Sequence, residues 1–297
     1  MTPNEYLKAV LDSQKMKPGS PELAQLQKHR EEVEAILRKN FGEGPTIRYG
    51  GSKAKGTMIR ESYDLDIACY FPHDDTSAGE TLKEIYDNVH AALTAAGYVV
   101  EPKGSALRIR NAGGVDFHID VVPGRFVDDK EADANLHRST GDKDWLKTNL
   151  DVHIAHVRDS GVTDAIMLLK LWRARQSLHV KGFVFDLSII DALAGKSDEP
   201  LPEQLEHVLA TFRDDIDSLK VEDPANPVGN DLSEDFDDSV KSVLADAAAK
   251  VLDQVKEGGW EAVFGHVTSE VTDAMRKSAI TSAAATATPV KPWSPAE

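Results

Sequence analysis

The chain has 297 residues, 41% apolar and 28% charged, which is ordinary for a globular protein of one or two domains. No run of about 18 apolar residues exists, which excludes a spanning helix, and the polar stretch from Met1 to Ser20 lacks the apolar segment of a signal peptide. With 34 basic against 50 acidic residues, net −16, most of the surface should repel nucleic-acid backbones. That disfavours strong binding of long DNA or RNA and leaves room for a local basic pocket for a nucleotide. The single cysteine, Cys69, cannot form an internal disulfide, and one thiol is no zinc site. A cytoplasmic protein is expected, with no membrane partner.

Residues 1–20 read as a mobile lead or a short helix. Ser20-Pro21 opens a helix, a capping side chain followed by proline in the first turn. Leu23, Leu26, Val33, Ile36 and Leu37 continue it at helical spacing, and Gly42 and Gly44 end it. Thr46 to Tyr49 is a short strand running into Gly50-Gly51-Ser52, with a short helix following. Asp64 to Phe71 reads as a strand closed by Pro72. A helix from about Thr81 to Ala96 has Leu82, Ile85, Val89 and Leu93 on one face. Residues 98–101, 106–110 and 115–122 are strand candidates. Beyond Trp145 long helical patterns dominate: Val162 to Gln176, Val184 to Leu193, Leu201 to Asp214 and Val240 to Val255. The last twenty residues, Ser278 to Glu297, are rich in Ala, Thr and Pro and read as disordered. The expected class is α+β. A small mixed sheet with the N-terminal helix fills residues 1–144, a C-terminal helical lobe follows over 145–277, and a tail occupies 278–297.

Three segments carry chemistry. Gly50-Gly51-Ser52, followed by Gly56-Thr57, lies between a strand and a helix, where glycines let the backbone approach an anion and a serine hydroxyl suits a phosphate; taken alone, such a segment is more often a plain turn. Asp64-Leu65-Asp66 heads an apolar strand, so both carboxylates project to one side. Two like charges so close need a cation or water, and hard divalent ions fit; two solvated acids at a strand start are the plain alternative. In Val115 to Val122, Asp116, His118 and Asp120 share one face, and Asp120 sits deepest in the apolar run, where an unneutralised acid is costly. If this strand lies beside the first, three carboxylates can hold two magnesium ions for an in-line displacement at phosphorus.

The run GGSKAKGTMIRESYDLDI, followed by HIDVVP, resembles the polymerase-β-type nucleotidyltransferases. LLKLWRARQ (168–176) and DPANPVGN (223–230) are similar to segments of the 2′-5′-oligoadenylate synthetases and the bacterial CD-NTases, the cyclic-oligonucleotide synthases akin to animal cyclic GMP-AMP synthase. The resemblance spans roughly residues 45 to 230. It implies a polymerase-β-like nucleotidyltransferase core closed by a helical bundle lobe. It further implies that Asp64 and Asp66 bind two Mg2+ ions (Mn2+ in their place), and that Asp120 completes the ion that activates the acceptor hydroxyl. Gly51 and Ser52 would hold the donor triphosphate, and Lys170 would reach it. Phe183 would stack on the donor base, with Asp223 and Asn226 near that base. The residues alone leave other readings open: a solvent-facing helix lysine, a core phenylalanine, and a turn shaped by prolines. Departures from the pattern are Tyr63 directly before Asp64, and Gly182 before Phe183, where Lys181 stands beside the gap. His153 and His156, three apart, read as surface or partly buried histidines.

The resemblance implies template-independent joining of NTPs, ATP among them, into a cyclic di- or trinucleotide. That product would activate a separate effector in antiphage (CBASS) signalling, with a regulatory protein gripping the tail. A linear oligoadenylate product, transfer to a small molecule or RNA end, and a non-catalytic nucleotide-binding module are the alternatives.

Overall fold

The computed structural model describes residues 1–110, 118–139 and 143–267. Alternation decides the sheet. In β2 (Leu65–Phe71), Leu65, Ile67, Cys69 and Phe71 are fully buried on one face, while Asp66, Ala68 and Tyr70 point to the other. β2 pairs with β1 (Thr46–Tyr49) antiparallel and with β5 (Ile119–Phe126) parallel. Beyond β5 lie β4 (Ala106–Arg110) and β3 (Val99–Lys103), so the main path runs β1-β2-β5-β4-β3. β6 (Ala134–His137) and β7 (Trp145–Thr148) extend the far end of β5.

One face of this sheet is covered by α2 (Pro21–Phe41) and α4 (Leu82–Ala95). Leu26, Val33 and Leu37 of the first and Ile85, Val89 and Leu93 of the second pack on Leu65, Ile67, Leu107, Ile109, Ile119 and Val121. Each such side chain contributes roughly 1.5–3 kcal/mol when fully buried. Ser20 caps α2, and Thr81 with Glu84 forms a reciprocal capping box on α4. The opposite face bears the acids and, further along, a smaller apolar cluster of Ala68, Tyr70, Phe126, Ala134 and Leu136.

A second core is helical. It joins α1 (Pro3–Gln14), α6 (Thr163–Arg175), α7 (Gly182–Ala192), α8 (Leu201–Asp214) and α9 (Asp238–Phe264) through Leu7, Leu169, Phe185, Phe212 and Leu244 among others. Two expectations about domain limits change. The N-terminal segment is a capped helix whose Tyr6, Leu7, Val10 and Leu11 bury into the helical lobe, not into the sheet lobe. Spacings of 3 and 4 put these four on one stripe inside an otherwise polar stretch. The division at 144/145 falls inside the sheet, because β7 pairs with β6 in the register His137↔Trp145 to Ala134↔Thr148. These two short strands carry no apolar alternation strong enough to show in the sequence. The adjoining α5 (Leu150–Arg158), also unanticipated, buries only Val157. Asp116 and the tail 278–297 lie outside the described residues. Among the described residues no helix is long and apolar enough to cross a membrane.

Candidate active site

The exposed-side residues of three adjacent strands form a charged row. Parallel register sets Asp66 of β2 beside Asp120 of β5, and antiparallel register sets Arg108 of β4 on the other side of Asp120. Asp64 sits one residue before β2, its carboxylate 3.6 Å from His118 Nε2. The two strands are thus neighbours, with Asp66 and Asp120 side by side and Asp64 two residues before Asp66.

The turn between β1 and α3 (Gly51–Lys55) lies against this row. The Gly50 amide donates to the Asp66 carbonyl at 2.8 Å. Gly51 adopts φ +49°, and a Cβ built there would stand 1.5 Å from Asp66 Oδ2. Glycine is therefore required twice over, by backbone conformation and by the close approach of a carboxylate. Ser52 follows, half-buried, and its carbonyl accepts from the Thr57 amide at 3.0 Å.

Electrostatics in the row is uneven. Burial, then the charges of Asp64 and Asp120, push the Asp66 carboxyl well above its ordinary value, against the opposing charges of Lys55 and Arg108. Burial also pushes the Asp64 carboxyl up. The His118 hydrogen bond and charge, helped by Arg108 and Lys170, more than reverse this and hold it below the ordinary value. Asp120 is gripped by a guanidinium fork: Arg108 Nε donates to Oδ1 at 2.8 Å and Nη2 to Oδ2 at 2.7 Å. Among the described residues, no group of three or more His, Cys, Asp or Glu side chains forms a preassembled metal cage. The donor set, carboxylate oxygens crowded around Asp66, nonetheless suits a hard divalent cation.

Two lysines approach from the helical side. Lys170 on α6 is buried. Its ammonium donates to Thr57 Oγ1 at 2.8 Å and pairs with Asp186 Oδ1 of α7 at 2.9 Å. Burial holds the Lys170 ammonium below its ordinary value despite the attraction of Asp186. Lys55, at the end of α3, shares the same carboxylate at 3.6 Å from Oδ2 and lies 4.3 Å from the centroid of the Phe183 ring. Lys170 is thus neither solvent-facing nor free, and Lys55 bridges the acid row to the aromatic beyond it.

That aromatic opens a second cluster. Phe183 is half-buried in the first turn of α7, with the His153 ring of α5 4.6 Å away at 45°. His153 Nε2 lies 2.7 Å from Asp223 Oδ1. Burial raises the Asp223 carboxyl, but the hydrogen bonds from His153 and Asn230 outweigh this and hold it below its ordinary value. Asn226 donates to Asn230 Oδ1 at 3.1 Å, and Asn230 donates to the Lys147 carbonyl of β7 at 2.8 Å. The loop carrying Asp223 and Asn226 is so tied to α5 and to the sheet. Lys181, beside the Gly182 departure, pairs with Asp235.

Sequence reasoning missed Lys55, Arg108 and Asp186, and read His153 as surface or partly buried without its partner Asp223. Asp186 and Lys170 carried a readable signal: each is a lone charge inside an apolar helical run, FVFDLSII and LLKLW, and such charges must find each other. Arg108 alternates with inward Leu107 and Ile109, but its partner is defined only by strand pairing. His153 gave no signal, since its partner lies seventy residues away in a loop.

The sequence matches no protein-family model and no curated protein. Solved structures give a different result. The chain is similar to CdnC of E. coli MS115-1 with ATP, at 20% identity and a TM-score of 0.64, covering 89% of this chain and 98% of that one. It is similar to the CD-NTase CdnG of Bradyrhizobium diazoefficiens in complex with GTP, at 14% identity and a TM-score of 0.67, covering 94% and 98%. It is also similar to the DncV cyclic AMP-GMP synthase of Vibrio cholerae, at 17% identity and a TM-score of 0.55, covering 92% and 87%.

Proposed function

We propose that this chain, which has the fold of the CD-NTases, is a template-independent nucleotidyltransferase that joins NTPs into a cyclic di- or trinucleotide. The observation that carries the reading is the side-by-side register of Asp66 and Asp120, with Asp64 two residues before Asp66 and Gly51 pressed against Asp66. The acceptor ribose hydroxyl attacks the α-phosphorus of the donor, the bond to the bridging oxygen breaks, and pyrophosphate leaves. Asp64, Asp66 and Asp120 would hold two divalent cations, Mg2+ or Mn2+, which lower the pKa of the attacking hydroxyl and offset charge on the leaving group. Gly51 and Ser52 line the donor phosphates, Lys55 and Lys170 supply positive charge behind them, and Phe183 offers a face to the base. Asp223, fixed by His153 and Asn230, holds the base-side loop with Asn226 in one conformation. Most of the catalytic effect is then positioning and electrostatics.

Supporting this reading, two of the solved neighbours named above were determined with ATP or GTP, and the third is a cyclic AMP-GMP synthase. One CdnC structure is a complex with a HORMA protein, which supports a regulatory partner for this chain as well. The product would act on a separate effector in antiphage signalling.

A non-catalytic nucleotide-binding module is the second reading, favoured by the grip of Arg108 on both oxygens of Asp120. Incubation with Mg2+ and NTPs labelled one at a time at the α-phosphate separates them. The proposal expects labelled oligonucleotide that resists phosphatase, with pyrophosphate released. A phosphatase-sensitive product contradicts cyclisation, and no product from any NTP mixture with Mg2+ or Mn2+ contradicts the enzyme.

A further inference from the structure

We infer that Arg108 is a built-in counter-ion of the acid row, a positioning residue that orients Asp120 and sets how tightly the row takes a divalent cation. This rests on the proposed nucleotidyltransferase site and extends it to a residue outside the acid triad. The geometry is specific. Arg108 and Asp120 are directly opposed in antiparallel register, and their side chains are only 14% and 12% exposed. The fork places one N–H on each carboxylate oxygen, at 2.8 and 2.7 Å. A carboxylate has about four lone-pair directions, so the fork takes half of them and leaves the outer ones for a cation. It fixes the plane of the Asp120 carboxylate while cancelling much of its charge.

The surrounding charges make this cancellation count. Asp64 and Asp66 face the same space, and the nearby basic groups are His118, Lys55, Lys170 and Arg108. Lys170 is committed to Asp186, and Lys55 is shared between Asp186 and the Phe183 ring. His118 stands at Asp64. Arg108 is therefore the cation assigned to Asp120, the member of the trio that the parallel register sets against the strongly perturbed Asp66. Without it, three carboxylates would face one another and the row would either bind a cation avidly or take up protons. With it, the charge of Asp120 is offset, and a cation must compete with a guanidinium for that carboxylate. An arginine serving only sheet cohesion would leave cation affinity unchanged when replaced.

The test is Mn2+ binding to the purified full chain without nucleotide, followed by electron paramagnetic resonance of free Mn2+. Arg108→Gln is expected to tighten binding by about tenfold or more, since one unit charge is removed from a low-dielectric row. Arg108→Lys keeps the charge but loses the fork and should give a smaller gain. Adding Asp120→Asn to Arg108→Gln should erase the gain. Circular dichroism identifies the folded variants, and the lysine variant carries the test if the glutamine variant does not fold. Unchanged or weaker affinity in the folded Arg108 variants, with wild-type binding lost in Asp66→Asn, overturns the role of Arg108 alone. Binding indifferent to Asp66→Asn, or no binding by any variant, contradicts the acid-row site and this role together. Binding that appears only when Arg108 is replaced supports it.

Discussion

Replacing Asp64 and Asp66 together by asparagine is expected to lower nucleotide transfer by at least about a thousandfold, because both carboxylates at the head of β2 are lost while shape is kept. Pyrophosphate release from labelled NTPs measures it, and retention of more than a tenth of wild-type activity would place the chemistry elsewhere. A stability effect separates this loss from misfolding. Burial and the neighbouring acids raise the folded Asp66 carboxyl well above its unfolded value, which is about 3.9. For a raised acid, the stabilising contribution of the protonated form is complete below the unfolded value and is lost as pH rises through the folded one. Without divalent cations the row therefore contributes progressively less stability as pH rises above about 3.9. Asp66→Asn alone should then melt higher than wild type in EDTA, by about 2–4 °C. Added Mg2+ should raise the melting temperature of wild type and not of the variant. A variant that melts lower in EDTA contradicts the crowding of charge at Asp66.

Asp186→Ala has the largest expected effect on stability. The Asp186 side chain is 2% exposed and serves two cations, Lys170 at 2.9 Å and Lys55 at 3.6 Å. Its removal leaves two ammonium groups at a buried position with no carboxylate. Breaking one side of such an arrangement costs about 3–5 kcal/mol, a large part of the stability of a domain. The midpoint of urea unfolding should fall accordingly, and Lys170→Met on the same background should recover part of the loss. A midpoint shift worth less than about 1 kcal/mol would mean that water or another acid reaches the lysines.

Much of this was legible in the residues, for identifiable reasons. The apolar run closed by Pro72 placed β2, the turn residues around ALRIR placed β4, and the apolar spacing of residues 201–214 placed α8. The acids were legible only on a condition, that the two strands bearing them be neighbours, and the pairing of β2 with β5 sets Asp66 beside Asp120. What escaped were partners supplied by tertiary pairing. Arg108 meets Asp120 only because β4 pairs with β5, and His153 meets Asp223 across 70 positions of chain. The short strands Ala134–His137 and Trp145–Thr148 escaped because four residues cannot display a period against polar neighbours. The N-terminal helix was recognised as a possible element but not as part of the helical core, since a stripe of four apolar side chains does not name the surface it covers.

The most direct measurement is anomalous scattering from Mn2+ in a crystal of the chain with a non-hydrolysable NTP. The account predicts two peaks within about 2.0–2.3 Å of carboxylate oxygens, both touching Asp64 and Asp66, and one also touching Asp120. Peaks absent from this row in a nucleotide-bound crystal, or Mn2+ held by other residues with Asp120 still forked to Arg108 alone, would contradict it.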